Sequence, residues 1–421
     1  MGNTASKSAP SPPPSADRLS VTEARTRIFA DVVPVQEVER VAVRDALERV
    51  LAEDIVSDFD VPGHTNSAVD GYALARKVLA EAGRKEFSVV GAALAGRPYT
   101  GRVARGDCVQ IMTGAPMPAG TDTVVLREEV EVRERTVMIE HDEKRARNVR
   151  QAGEDLVKGQ VALIAGKRLM PAELGMLASL GYADVPVYRR ARVALFSTGD
   201  ELRSVGHPLV AGQIYDSNRY TLNGSLTRLG VEIRDLGVVA DEPDAVRRAL
   251  ADAAANADAV ITTGGVSVGD ADYVKETVAA LGNIRFWQVA MRPGRPFVFG
   301  KLQDAAFFGL PGNPVAVMVT FYQFVQPALR YLMGEPSPPL PPTFRARSIS
   351  PLKTRIGRTE FIRGILGHDE NGELVVRSTG GQGSGILSSM STGDCFIVLP
   401  PESGDTEPGA IVEVQPFHGL M

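Results

Sequence analysis

Apolar and polar positions change period several times along the chain. Val21, Ala24, Ile28 and Phe29 recur at helical spacing and predict a short helix from Leu19 to about Asp31, and Val43 to Glu53 predicts a second. Asp58 to Leu74, DFDVPGHTNSAVDGYAL, reads as a loop with many functional groups, because Pro62, Gly63, Asn66 and Gly71 interrupt any regular period. Residues 87 to 140 give short apolar runs (FSVVGAAL, DCVQIM, DTVVLREEVEV, TVMIEH) between Gly and Pro turns, which predicts a small β domain. PAELGMLASLG predicts a helix with Pro171 in its first turn and Gly181 at its stop.

From about 190 to 333, strand-like runs alternate with helix-like ones. ARVALFS, VEIRDLGVV and ADAVITTGG read as strands, and SNRYTLNGSLTRLG, PDAVRRALADAAA and ADYVKETVAALG as helices. That order predicts a mostly parallel sheet covered by helices. Right-handed crossovers then put the strand C-termini on one rim, where ligands sit. GEPSPPLPP after Met333 reads as a stiff linker, and 343 to 418 as a C-terminal β domain. Residues 1–18, rich in Pro, Ser and Ala, read as a disordered tail.

At 421 residues the chain exceeds one core of usual size, so several domains are expected. The 42 glycines and 28 prolines favour turns and disfavour a coiled coil or helical bundle. A net charge of −5 supplies no global field for nucleic acid or an anionic membrane, so any bound anion must be met locally. Cys108 and Cys395 stand far apart, which excludes a disulfide framework and suits a reducing cytoplasm. The five histidines occur singly, with no HExxH spacing, and no apolar run is long enough to span a bilayer.

Candidate chemistry gathers at the predicted strand ends. In ITTGGVSVGDADY, Gly264, Gly265 and Gly269 free the backbone to turn, and exposed N–H groups there can hold a phosphate. FSTGDEL puts Asp200 and Glu201 past one strand, and GVVADEPDA puts Asp241, Glu242 and Asp244 past the next. Acid-bearing loops on one rim favour a metal-assisted phosphate site over solvated loop acids. Positive charge clusters despite the acidic total. Arg285, Arg292, Arg295 and Lys301 lie in one stretch, and Arg345, Arg347, Lys353, Arg355, Arg358 and Arg363 face the single Glu360 in another. In RPGRP the tight backbone lets two guanidinium forks converge on one tetrahedral oxyanion. In GLPGNPV, Asn313 is positioned to cap a helix whose first residue is Pro314. GxSxG, GxGxxG and the P-loop pattern are absent, which disfavours a serine hydrolase, a dinucleotide site and a P-loop NTPase.

Together NSAVDGYAL, IMTGAP, NVRQAGEDL, FSTGDEL, IYDSN, TTGGVSVGDADY, RPGRPFVFG, GLPGNP and QGSGILSSM closely resemble the molybdopterin molybdenumtransferase, or MoeA, family, which includes the gephyrin E domain. The resemblance runs from about Leu19 to His418. It implies an α/β multidomain fold: a mostly parallel three-layer molybdopterin-binding domain at 188–334, a small β domain at 61–154, an elongated dimerisation region at 19–60 and 155–187, and a C-terminal β domain at 343–421. It also implies a homodimer whose active sites each take residues from both copies. The implied reaction inserts molybdenum from molybdate at the dithiolene of adenylylated molybdopterin and releases AMP, with Mg2+ assisting. An upstream molybdopterin adenylyltransferase and acceptor molybdoenzymes are the implied partners.

Carried over by motif, Asp70, Thr113, Arg150 and Asp155 look like substrate-facing residues, and Glu201, Asp241 and Asp272 like carboxylates orienting substrate and metal, with Glu201 and Asp241 the metal pair. Arg292, Arg295, Arg363 and Ser384 look like the molybdate and phosphate contacts. Gly264, Gly265, Ser267, Gly269, Pro311, Gly312, Asn313 and Pro314 look like the loops around the pterin substrate. This chain departs from the common pattern at Val69 for Met, at RPGRP for KPGKP, and at Gln288, where some bacterial members carry lysine. A peptide-binding scaffold and a molybdopterin adenylyltransferase are the alternatives. The first would carry clustering domains ahead of this module, and the second would lack the two β domains.

Overall fold

The run Arg192–Thr198 is flanked in parallel by Glu232–Val239 and by Ala259–Thr263, and Ala305–Leu310 continues the parallel set. Pro296–Leu302 and Gly282–Gln288 then close that edge antiparallel, so the six-stranded sheet is mostly but not wholly parallel. These contacts come from a computed structural model that describes residues 18–79, 85–140, 146–265, 273–336 and 340–417. Alternate residues of each strand face opposite ways. Val193, Leu195 and Ile261 pack with Leu222, Leu226, Phe297 and Phe324 on one face, while Ala194, Phe196 and Val260 pack with Val246, Leu250 and Val278 on the other. Burial on both faces explains why these strands read as continuous apolar runs.

Helix Val21–Asp31 starts at a capping box formed by Ser20 and Glu23, and its buried residues Val21, Ala24 and Ile28 join the first of those two clusters. It therefore packs with the α/β core, whereas the resemblance groups it with the dimerisation region at 19–60 and 155–187. The helix predicted from Val43 to Glu53 does not form. Val43–Asp45 is one 3-10 turn, Glu48 has φ of 62°, and the N–H groups of Leu51 and Ala52 donate to Lys167 and Pro186 carbonyls. Buried Ala46, Val50 and Leu51 produced a helical period without a helix.

The C-terminal strands Thr359–His368, Leu374–Ser378, Phe344–Ser348, Ile411–Pro416 and Cys395–Leu399 pair in that order, and the last returns to the first, closing a small barrel-like sheet. Met291–Arg292, from the RPGRP segment, adds to it in parallel beside Thr359–Glu360. Residues 40–47 and 51–186 make a separate unit whose centre is another six-stranded sheet. Gly71–Leu74, predicted as loop, is an inner strand of that sheet, lying between Thr123–Leu126 and Asp107–Ile111. All four of its residues are buried, so it shows no alternation. A Cβ at Gly71 would stand 2.0 Å from the Val125 carbonyl oxygen, which is why glycine occupies this position. The tail of residues 1–17 lies outside the described residues.

Candidate functional site

In the unit of residues 40–47 and 51–186, the two-residue strand Asn66–Ser67 stitches three predicted motifs together. Val149–Arg150 pairs with it antiparallel, Gly114 N–H donates to Ser67 O at 2.8 Å, and Ser67 N–H donates to Ala115 O at 3.0 Å. Further along, the N–H groups of Asp155 and Leu156 both donate to the Val61 carbonyl. Asp70, one residue before its strand, accepts two bonds at Oδ1, from Thr113 N–H at 2.7 Å and from Thr113 Oγ1 at 2.8 Å. The backbone bond first, and the hydroxyl second, hold the Asp70 carboxyl below its ordinary range although it is exposed. Arg150 and Asp155 are exposed on the loops so joined. Val69 packs partly buried against the core of this sheet.

In the α/β domain the parallel strands end level with one another, Ser197 opposite Thr263 and Thr263 opposite Leu310. A Cβ on Gly264 would lie 2.2 Å from Thr198 O, and one on Gly265 would lie 2.7 Å from Val274 Cγ2, and both residues have positive φ. Ser267, Gly269 and Asp272 lie outside the described residues. Asn218, in helix Ser217–Leu229, donates from Nδ2 to Thr263 Oγ1 at 2.9 Å and to Gly312 O at 2.7 Å, and Thr263 Oγ1 donates to Pro311 O. This buried amide ties the two loops that follow Thr263 and Leu310. Only its place in IYDSN pointed to it. Asn313 stands at the N-cap with Pro314 first in the helix, but its side chain makes no capping bond, which corrects that expectation.

Asp241 and Glu201 flank one strand end. Thr198 Oγ1 donates to Asp241 Oδ1 at 3.2 Å, and the Glu201 carboxylate fills the space that a Cβ on Gly199 would take, with Oε2 2.6 Å from it. No group of three or more Asp, Glu, His or Cys converges among the described residues. Two carboxylates at one strand end still suit Mg2+, which keeps waters and fills its shell from substrate phosphates.

The RPGRP strand and the C-terminal sheet together wall a cavity of about 330 Å³, lined by Arg292, Lys353, Glu360, Arg363 and Gln382 among others. Arg363 is 1% exposed. Its Nε donates to Ser389 Oγ at 3.0 Å and its Nη2 to Gly383 O at 3.0 Å, both neutral oxygens. Burial, and then the Arg292 charge, push its pKa down to about 10, so it remains a cation at neutral pH. Glu360, 4% exposed, is the cavity's carboxylate. It accepts from Arg358 at 2.8 Å and from the Arg355 N–H at 3.3 Å, and Arg292 Nη1 stands 3.7 Å away. Arg295 and Ser384 do not join this wall. Arg295 donates to Gln288, and the Ser384 carbonyl accepts the Val315 N–H at 3.1 Å. The tight turn of RPGRP thus points its two guanidinium groups at different partners instead of one oxyanion.

Residues 19–181 match the MoeA N-terminal region (domains I and II), 194–331 a probable molybdopterin-binding domain, and 345–417 the MoeA C-terminal region (domain IV). The chain is 42% identical to the molybdopterin molybdenumtransferase of Haemophilus influenzae over 96% of its own length and 100% of the relative's. It is 38% identical to the one from Nostoc sp., over 87% of this chain and 85% of that one. The crystal structure of a molybdopterin biosynthesis moeA protein from Pyrococcus horikoshii OT3 covers 95% of the chain, with 100% of that protein matched, at TM-score 0.83 and 29% identity.

Proposed function

The chain belongs to the MoeA family of molybdopterin molybdenumtransferases, and from that premise we propose that it takes adenylylated molybdopterin and molybdate, places molybdenum on the dithiolene and releases AMP. The observation that carries the reading is the pairing of Arg363 and Arg292 on one cavity. A buried guanidinium bonded only to neutral oxygens lacks a counter-ion, and a tetrahedral oxyanion supplies one in a site where water competes weakly. Arg292 stays half-exposed and closes over the anion from the mouth. Asp70, held ionised by Thr113, faces substrate from the other unit of a second copy.

Mg2+ held by Glu201 and Asp241 would neutralise the substrate's phosphates. The Gly264–Gly265 and Pro311–Pro314 loops, tied by Asn218, would orient them through backbone N–H groups. The purified chain with adenylylated molybdopterin, molybdate and Mg2+ should release AMP and yield a product that reconstitutes an apo-molybdoenzyme. Absence of AMP release at saturating substrates rejects the reading. Asp241→Asn should raise the Mg2+ concentration for half-maximal AMP release by about tenfold, since one of two ligand charges is lost. An unchanged Mg2+ curve removes Asp241 from the metal.

We also propose a homodimer. Val56, Phe59, Val157, Val161 and Ile164 are exposed around the strand pair Ile55–Val56 and Val161–Leu163, an apolar surface that suits a second copy. Sedimentation at micromolar concentration should read two chains in the wild type and one in Ile164→Lys. A monomeric wild type overturns the assembly. A cytoplasmic location suits the two free, buried cysteines. No helix among the described residues is long and apolar enough to cross a membrane.

A further inference from the structure

Three strand ends of the sheet around Gly71–Leu74 meet at Asp70. The register that pairs Gly71 with Leu126 on one side and with Ile111 on the other sets Arg127 and Met112 beside Asp70, just past those ends. Thr113 follows Met112 and gives Asp70 Oδ1 its two bonds. On the opposite side Arg127 N–H donates to the Asp70 carbonyl at 3.3 Å, so the two side chains stand next to each other on one face. After the Thr113 bonds, the Arg127 charge adds to what holds the Asp70 carboxyl down. Both residues are exposed. The turn Arg127–Glu129 is fixed from its far end, where Arg147 Nη2 donates to Glu129 Oε1 at 2.8 Å. The Arg127 guanidinium itself makes no hydrogen bond and no ion pair among the described residues. It is an anchored cation with unspent donors, although in DTVVLREEVEV it reads as an ordinary charged loop residue.

We propose that Arg127 is a further substrate-binding residue, whose guanidinium donates to a phosphate of the adenylylated pterin while Asp70 Oδ2 accepts from an N–H or O–H of the same molecule. The inference rests on reading Asp70 as substrate-facing. A carboxylate set against a phosphate-bearing substrate repels it unless a cation stands beside that carboxylate, and Arg127 is placed to be that cation. Molybdate does not fit the pair. At neutral pH it is a fully ionised dianion with no donor for Asp70, whereas the adenylylated pterin carries phosphate oxygens together with N–H and O–H donors.

The test varies adenylylated molybdopterin at saturating molybdate, and then the reverse, while AMP release is followed with Mg2+ present. Arg127→Gln should raise KM for adenylylated molybdopterin about tenfold and leave kcat and KM for molybdate within about twofold. Tm should hold, since the backbone bond to Asp70 survives the substitution. Arg127→Glu should raise the same KM about a hundredfold, because it replaces attraction by repulsion. Equilibrium dialysis of adenylylated molybdopterin without molybdate reads the contact apart from turnover, and Kd should rise by the same factors. An unchanged KM and Kd in Arg127→Gln, a rise in the molybdate KM instead, or equal effects of glutamine and glutamate overturns the inference. The reading of Asp70 fails by a different result, wild-type turnover in Asp70→Ala, whereas Arg127 fails with Asp70→Ala still inactive.

Discussion

Arg363→Gln is expected to lower kcat/KM for molybdate by about 10²–10³-fold while moving Tm by no more than about 3 °C. The activity loss follows from removing the one fully buried cation on the cavity wall. The small stability effect follows from the same burial. The pKa of Arg363 is about 10, below arginine's ordinary value, so the folded chain holds this proton less tightly than the unfolded chain does. By linkage, stability then rises with pH between about 10 and the ordinary arginine value, where the unfolded state binds more protons. Below that window the ionised Arg363 weighs against folding. Glutamine removes the buried charge, and its Nε2, placed about where the arginine Nε stood, keeps a donor for Ser389 Oγ.

The same reasoning separates binding from structure. A bound dianion favours charged Arg363, so molybdate should raise the Tm of the wild type with concentration, as any ligand selective for the folded state does. It should not do so through this site in Arg363→Gln. A variant that keeps wild-type kcat/KM and the same molybdate-dependent Tm gain would remove Arg363 from the oxyanion site. Glu360 sharpens the expectation. Its carboxylate already draws Arg358 and stands 3.7 Å from Arg292, so the cavity is not a bare concentration of positive charge. The anion must compete with Glu360 for Arg292, whereas for Arg363 it meets no competing carboxylate.

What could be read from the chain depended on how local the signal was. The parallel strands were legible because burial on both faces leaves unbroken runs such as VALFS and AVITT, and their level ends placed Asp241, Glu201 and Gly264 on one rim. The strand GYAL escaped because four buried residues between turn-formers carry no period, and its partners lie about 40 and 50 residues away. The pairing of Arg292 with Arg363 was anticipated, but only through the family motifs. Spacing alone could not join them, since they meet through Met291–Arg292 adding to a sheet whose next strand begins at Thr359. Glu360 was visible only as the lone acid in a basic stretch. Its burial, like the tie made by Asn218, depends on tertiary contacts that no local pattern encodes.

Asp70→Ala is expected to lower kcat by about 10²–10³-fold, comparable to removing an aligned catalytic group, and to leave the dimer and Tm close to wild type. Asp70 is exposed, and its bonds to Thr113 are satisfied at the end of a strand whose burial begins only at Gly71. Thr113→Val tests how the carboxylate is set. It removes the hydroxyl donor and keeps the backbone N–H, which is the larger cause of the lowered pKa. A carboxyl with a depressed folded pKa is ionised above the ordinary carboxylate range and loses its charge only as pH falls through the lowered value. Weakening its donors raises that value, so the acid limb of kcat/KM should move to higher pH in Thr113→Val while the plateau falls less than in Asp70→Ala. Were the acid limb to stay in place while Asp70→Ala remained inactive, Asp70 would act through its position alone, and the ionisation of its carboxyl would play no part in turnover.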